Sequence, residues 1–317
     1  MRRTRFLLAF ALCVAPLPAQ AGAREAVHEP EEARLAVQLK AGQIWRQNVR
    51  FESLITGSDG VGSVWTFDYG LRLRCLEPVP GGFSVAGQFV DWRLRLQKDE
   101  CVYEWSDGRY SFQSEVHEQG EAAHEACRGL LAAWSSGLRQ SELRFLLQVD
   151  GSVSGLTGLE NLHLTVAKAL NAAGDRPPEI QAFFGEDGLR RADGALGLAL
   201  SVPRPVAEIA PGATWSHGTD VHGLAQREFR IRRSFLFSGL GRERRFRFAE
   251  IAIDPAYEIL GEDGAWQLVE SSAKKERAEV VRILLDSGLL YQMNAAIQLS
   301  LPDGSRASFK LSSQLGD

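Results

Sequence analysis

Residues 65–75 read WTFDYGLRLRC, and every odd position is apolar: Trp65, Phe67, Tyr69, Leu71, Leu73 and Cys75. Between them stand Thr66, Asp68, Gly70, Arg72 and Arg74. An unbroken two-residue period places one set of side chains on each face of a β-strand, one face dry and one wet. At about 3.3 Å per residue the strand runs roughly 36 Å, well beyond the usual ~5–6 residues. Its dry face needs an apolar partner: a second sheet, helices, a bilayer or a bound ligand.

Further stretches read as strands: residues 35–39, 44–54, 83–96, 110–114 and 143–149. Within 83–96 the apolar parity changes, from Phe83, Val85 and Phe89 to Val90, Trp92, Leu94 and Leu96. A bulge near Phe89 accounts for the change and bends the strand. Asp-Gly occurs seven times, at Asp59, Asp107, Asp150, Asp187, Asp193, Asp263 and Asp303. Between alternating runs that dipeptide marks hairpins, because both residues tolerate positive φ; around Asp187 and Asp193 a short helix with loop fits as well. In the second half, residues 229–237 and 244–253 flank FSGLGRE as a hairpin, followed by strands at 266–270, 280–285, 289–301 and 307–311. Residues 272–285 fit a helix equally well.

Helices are fewer. Thr157-Gly-Leu-Glu160 has the form of a capping box, and Leu159, Leu162, Val166 and Leu170 then share one helical face up to a stop at Gly174. A second helix spans 121–134, and Pro177-Pro178 opens a short third. The fold class is α+β and mostly antiparallel: two curved, half-barrel-like sheet units with a few covering helices. Helical and proline-rich interruptions, and the lack of regular aromatic girdles, exclude an outer-membrane barrel.

KAGQIW at 40–45 resembles APGATW at 210–215, each a glycine, two residues and a tryptophan ahead of a run of strands. GLRQSELRFLLQVDGSVSG at 137–155 loosely matches GLLYQMNAAIQLSLPDGSRAS at 288–308. An eroded internal duplication explains both. It divides the chain into a unit at 22–200, a proline-bearing linker at 201–212 and a unit at 213–317.

The N-terminus has three parts: basic MRRTR, apolar FLLAFALCV, and small residues with Ala19 and Ala21 placed for cleavage before Gly22. That is the pattern of a secretory signal peptide over 1–21, and it predicts a periplasmic or secreted protein. A lipoprotein signal at Cys13 fits less well, since Leu12 precedes it where a small residue is needed. No later stretch approaches the ~20 apolar residues of a membrane helix. Removing Arg2, Arg3 and Arg5 takes the formal net charge from −4 to −7, which offers nucleic acid no basic surface overall. Three cysteines remain. Cys75 shares the dry face of its strand and reads as a small buried hydrophobe; Cys101 and Cys127 are the disulfide candidate that export permits.

Several clusters carry a sharp reading and a plain one. Arg230, Arg232, Arg244 and Arg247 lie in the second-half hairpin, as a patch for anions or a partner, or as a solvated strand face. His117, Glu121 and His124 have helical spacing for a metal, or mark an exposed acidic helix. His217, Asp220 and His222 read either as a site or as a loop. Trp45 and Trp215 line a cleft or anchor the core. There is no GxSxG, Walker loop, CxxC or dinucleotide fingerprint, so no cofactor is implied.

The signal peptide, the Gly-x-x-Trp starts, the strand–Asp-Gly–strand units and the capped helix resemble a class of exported bacterial proteins of unknown function. Their folds are similar to the curved sheets of periplasmic lipoprotein carriers and related lipid-binding half-barrels. The resemblance implies an apolar concave face closed by helices. It makes Trp65, Phe67, Tyr69, Leu71 and Leu73 the candidate ligand-binding residues of a carrier without catalysis, its partner a lipid. A second reading is a cell-envelope module docking a protein through the arginine hairpin and sheet edges; a third is a hydrolase with an unrecognised site.

Overall fold

The computed structural model describes residues 32–56, 62–98, 101–106, 108–114, 121–172, 184–224, 227–260, 264–269, 279–300 and 306–316. The first strands are β1 (Ala33–Arg34), β2 (Ile44–Thr56), β3 (Gly62–Val79), β4 (Gly82–Lys98), β5 (Cys101–Ser106) and β6 (Arg109–Ser114). Helix α1 (Glu121–Gln140) leads to β7 (Glu142–Gln148) and β8 (Val153–Thr157), then to α2 (Glu160–Ala172) and α3 (Glu186–Leu200). The second half holds β9 (Glu208–Ile209), β10 (Thr214–Leu224), β11 (Arg227–Glu243), β12 (Phe246–Leu260), β13 (Trp266–Val269), β14 (Glu279–Leu284), β15 (Leu290–Ser300) and β16 (Arg306–Leu315).

The α+β expectation holds. Among the described residues the pairings are antiparallel, and the main sheet follows the order β10-β11-β12-β14-β15-β16-β2-β3-β4-β5-β6 without closing. Strand β16 joins the two halves, pairing with β15 on one side and with β2 on the other. The segment 201–212 carries Val202 and Arg204 into the interior and pairs β9 with β1.

The opening stretch behaves as its period demands. Trp65, Phe67, Tyr69, Leu71, Leu73 and Cys75 are all buried on one face of β3. The wet face carries a cross-strand charge ladder: Lys310–Glu52 at 2.9 Å, Arg50–Asp68 at 3.5 Å and Arg93–Glu104 at 2.8 Å. The parity change in β4 is a bulge, set at Asp91 rather than Phe89. Asp68 pairs with Arg93 and Gly70 with Val90, so Tyr69 faces two residues, and Asp91 takes a φ of 52°. Beyond it β4 changes neighbour, pairing with β7 before the bulge and with β5 after it.

The Gly-x-x-Trp turns are built alike. Gly42 and Gly212 have φ of 79° and 93°, a region favouring glycine. Gly42 N–H donates to Cys75 O and Gly212 N–H to Phe237 O. Cys75 N–H and Phe237 N–H return to Gln43 O and Ala213 O. The same two-bond lock therefore opens both runs of strands.

Other expectations are corrected. Residues 35–39 are not a strand: Val37 N–H bonds Val149 O while Gln38 N–H bonds Ser287 O, so neighbouring residues hold different loops and no ladder forms. The turn of the arginine hairpin is Arg244-Arg245, closed by the Glu243–Phe246 pair; FSGLGRE stays in β11 because a bulge between Phe237 and Gly239 absorbs the extra residue. The capping box does not form. Thr157 belongs to β8 and its hydroxyl donates to Arg144 O, leaving Glu160 to accept from Gly158 N–H at 2.9 Å. The helix behind it still buries Leu162, Val166 and Leu170 as its period predicts. Residues 279–284 are strand β14 and Leu285 begins the turn after it, whereas residues 272–278, like Gly174 and Pro177-Pro178, lie outside the described residues.

Candidate functional site

The dry face of the sheet meets two different covers. Over β3–β5 lies α1. Its Trp134 is fully buried, with ring centroids 4.9 Å from Trp65 and 6.0 Å from Phe67. Phe184, just ahead of α3, adds a third ring 5.3 Å from Trp65. Trp65, Phe67, Tyr69, Leu71 and Leu73 are therefore packed core, and none of them borders the apolar cleft described next.

Helix α3 packs on β10 and β16. Leu189, Ala195, Leu196 and Ala199 are buried on its inner side, and Ser313 donates to Ala199 O at 3.3 Å. Where the small side chain of Ala195 faces the sheet, the space beside it is unfilled. Ala195 and Leu198 roof an apolar cleft floored by Phe51, Ile231, Ile253, Met293, Phe309 and Leu311. Its cavity volume is about 40 Å³, room for a water or two. Helix α3 is pinned at its far side by His163 of α2, whose Nε2 lies 3.1 Å from an Asp193 carboxylate oxygen. That hydrogen bond holds the His163 pKa above its ordinary value.

Three polar groups converge on the rim: Arg233 on β11, Tyr257 on β12 and Glu279 on β14. Burial pushes the Glu279 carboxyl up to about 7, against the pull of an Ala296 N–H that it accepts at 2.8 Å and of the Arg233 charge. Burial pushes the Arg233 guanidinium down to about 10. Tyr257 is raised by burial too, and its hydroxyl donates to Ala296 O at 3.3 Å. A largely apolar cleft with a few converging polar groups of shifted pKa is the ordinary form of a small-molecule site.

The sequence pattern missed Arg233, although it offered a signal. In FRIRRSFLF the apolar residues Ile231, Phe235 and Phe237 are odd-numbered, and Arg233 is the one charged residue sharing their parity. The short helix with loop allowed around Asp187 and Asp193 is a full helix, α3. Its sequence EDGLRRADGALGLAL carries three glycines, each of which weakens a helical reading.

The arginine patch divides. Arg230 lies over the Trp266 ring at 4.1 Å, and Arg232 pairs with Glu258 at 3.1 Å. Arg244 sits at the hairpin turn, about 40 Å further along β11, and Arg247 faces Arg242 across the hairpin. Cys75 is buried as expected, which raises its thiol pKa. Cys101 on β5 and Cys127 on α1 are buried thiols in one hydrophobic cluster, so the disulfide expected between them is not formed in this structure. His124 is held by Tyr110, whose hydroxyl is 3.1 Å from its Nδ1; His117 and the Asp220 and His222 side chains lie outside the described residues. Trp215 is an anchor, donating to Pro203 O at 2.9 Å and stacked on Phe235, and Trp45 packs half-buried against the core. Among the described residues no group of three His, Cys, Asp or Glu forms a metal cluster, and no helix is long and apolar enough to cross a membrane.

No family model and no curated protein matches the chain. Among solved structures, lipovitellin, described for its lipid–protein interactions, aligns at 8% identity with a TM-score of 0.33 over 88% of this chain and 26% of its own. This chain thus spans about a quarter of that protein. A protein described as exported, with a YMCC-like fold, from Bacteroides fragilis aligns at 8% identity with a TM-score of 0.20 over 89% of this chain and 100% of its own. At these scores neither likeness says what this chain binds.

Proposed function

We propose that the chain is an exported protein that binds or carries an apolar, lipid-like ligand in the cleft beneath α3, without catalysing a reaction on it. The observation that carries this reading is the contrast in cover. The same dry sheet face is plugged by Trp134 and Phe184 at one end and keeps a cleft beneath Ala195 and Leu198 of α3 at the other. A drug-sized ligand needs roughly 300–1,000 Å³, so the cleft at about 40 Å³ is its closed form. Loading lifts α3, which hydrogen bonds from Ser313 and His163 hold to the sheet and to α2.

Titration with the neutral fluorophore N-phenyl-1-naphthylamine tests this. Saturable binding at on the order of one site per chain is expected, with loss of binding when Leu198→Trp fills the roof. No saturable binding, or binding untouched by Leu198→Trp, sinks the reading.

A second reading, docking to an envelope partner, is favoured by the hairpin tip. Arg242 and Arg247 face each other beside Arg244 and Arg245, and facing like charges cost stability. It predicts an association that weakens with salt and is lost when Arg242, Arg244 and Arg247 are replaced together.

A further inference from the structure

We propose that the cleft beneath α3 takes a single-chain amphiphile ending in a carboxylate, a fatty-acid anion, anchored by the guanidinium of Arg233. The inference rests on the apolar-ligand reading and adds the head group to it. Its basis is a comparison between two buried arginines in one molecule. Arg204 is 6% exposed and Arg233 is 5% exposed.

Arg204 is fully engaged. Its guanidinium donates to Leu35 O, to Val202 O at 2.9 Å and to Gly288 O, so it ties the 201–204 segment to the 35–39 strap and to the turn before β15. Three carbonyls satisfy its donors, and its role is structural. Arg233 has no such set. Its one hydrogen bond among the described residues runs from Nη2 to Thr219 Oγ1 at 3.3 Å, and the buried Nε has no partner there. Its guanidinium carbon lies 5.7 Å from the Phe235 ring, a weak substitute for an acceptor. A guanidinium carries five N–H donors and keeps its charge in proteins, and a buried charge without a partner is strongly destabilising.

Among the described residues no carboxylate forms an ion pair with Arg233. Glu279 borders the same cleft, but no ion pair joins the two among the described residues. Its Oε1 is engaged by Ala296 N–H, and burial keeps it partly protonated near neutrality. The Asp254 charge raises the pKa of both Glu279 and Tyr257. The unmet donors of Arg233 border an apolar cleft, and a carboxylate matches a guanidinium fork in shape and charge. One guanidinium with a carboxyl close by favours a monoanion over a doubly charged phosphate. The floor beyond Arg233 is wholly apolar, from Ile231 and Ile253 through Met293 to Phe51 and Phe309. The strands from β11 to β2 span about 24 Å when laid flat at ~4.8 Å per strand, a length suited to an acyl tail.

The test is displacement of N-phenyl-1-naphthylamine from the full mature chain by laurate, dodecanol and dodecyl phosphate at neutral pH. Wild type is expected to bind laurate about tenfold or more tightly than dodecanol, and Arg233→Met is expected to erase that preference. Equal binding of laurate and dodecanol by wild type, a preference kept by Arg233→Met, or tighter binding of dodecyl phosphate than laurate overturns the proposal while leaving the apolar site intact. If Arg233→Met does not fold, the wild-type preference decides alone. If neither the fluorophore nor any of the three binds, the apolar-ligand reading fails and the head-group proposal falls with it.

Discussion

The two ends of the dry sheet face differ in one respect that decides everything else, the size of the side chains laid over them. Above β3, α1 and the approach to α3 deliver Trp134 and Phe184, and the space closes around Trp65 and Phe67. At the other end α3 offers Ala195 and Leu198 as a roof, and a cleft remains between the helix and Ile231, Ile253 and Met293. Both ends show the same alternating strand sequence. A β pattern therefore announces a dry face but not whether that face is core or site; the covering helix settles that.

The contrast breaks most visibly at Trp134. Trp134→Ala is expected to cost about 3–5 kcal/mol, measured by urea unfolding, whereas Leu198→Ala, on the half-open roof, costs about 1 kcal/mol or less. Equal costs at the two positions would mean that the cleft is as tightly filled as the core.

A second prediction concerns filling rather than emptying. Leu198→Trp lowers affinity for a neutral apolar probe about tenfold or more, read by fluorescence titration, and shifts stability by less than about 1.5 kcal/mol. A large destabilisation with binding intact would place the ligand elsewhere.

The strands were legible because a two-residue period survives almost any context. Trp65 through Cys75 needed no tertiary information to be placed on one face. What was not legible depended on partners distant in sequence. The 35–39 strap alternates like a strand, but its backbone is claimed by Val149 and Ser287, residues far along the chain. Thr157 reads as a helix cap, but its hydroxyl is drawn to Arg144 on the neighbouring strand. The glycines of α3 left only a short helix with loop legible around Asp187 and Asp193, so the extension of the helix to Leu200, and with it the roof of the cleft, was hidden. Arg233 was visible as a parity violation in FRIRRSFLF, and the eye was drawn instead to the count of arginines around it.

The third prediction uses pH to sharpen the difference between ends. The folded state raises the Glu279 pKa from its ordinary value of 4.5 to about 7 by burial. Such a group stabilises the fold fully below its unfolded pKa, and that contribution is lost as pH rises through 7. Wild type is therefore expected to lose stability on the order of 2 kcal/mol relative to Glu279→Gln between about pH 4.5 and about pH 8, followed by urea midpoints. A flat difference across that window would show that Glu279 is solvated and the cleft wet.

The smallest effect is at the pin between α2 and α3. His163 has a raised pKa because Asp193 accepts its proton, so the pin contributes fully below the unfolded pKa and is lost as pH rises through the folded one. His163→Ala is expected to speed amide hydrogen exchange in α3 at acidic pH, with the difference fading as pH rises through the folded pKa and less than about 1 kcal/mol in global stability. Exchange in α3 that ignores both the substitution and pH would show that the helix is held by its apolar contacts alone.

The central claim is that ligand lies under α3 and not against Trp65. Photolabelling with a neutral long-chain alcohol bearing a diazirine, followed by peptide mapping, tests it most directly. The predicted adducts fall on the peptides that carry Leu198, Met293 and Phe309, and they vanish in Leu198→Trp. Adducts on the peptides that carry Trp65 or Trp134 would contradict the account, because they would put the ligand in the end of the sheet that is already full.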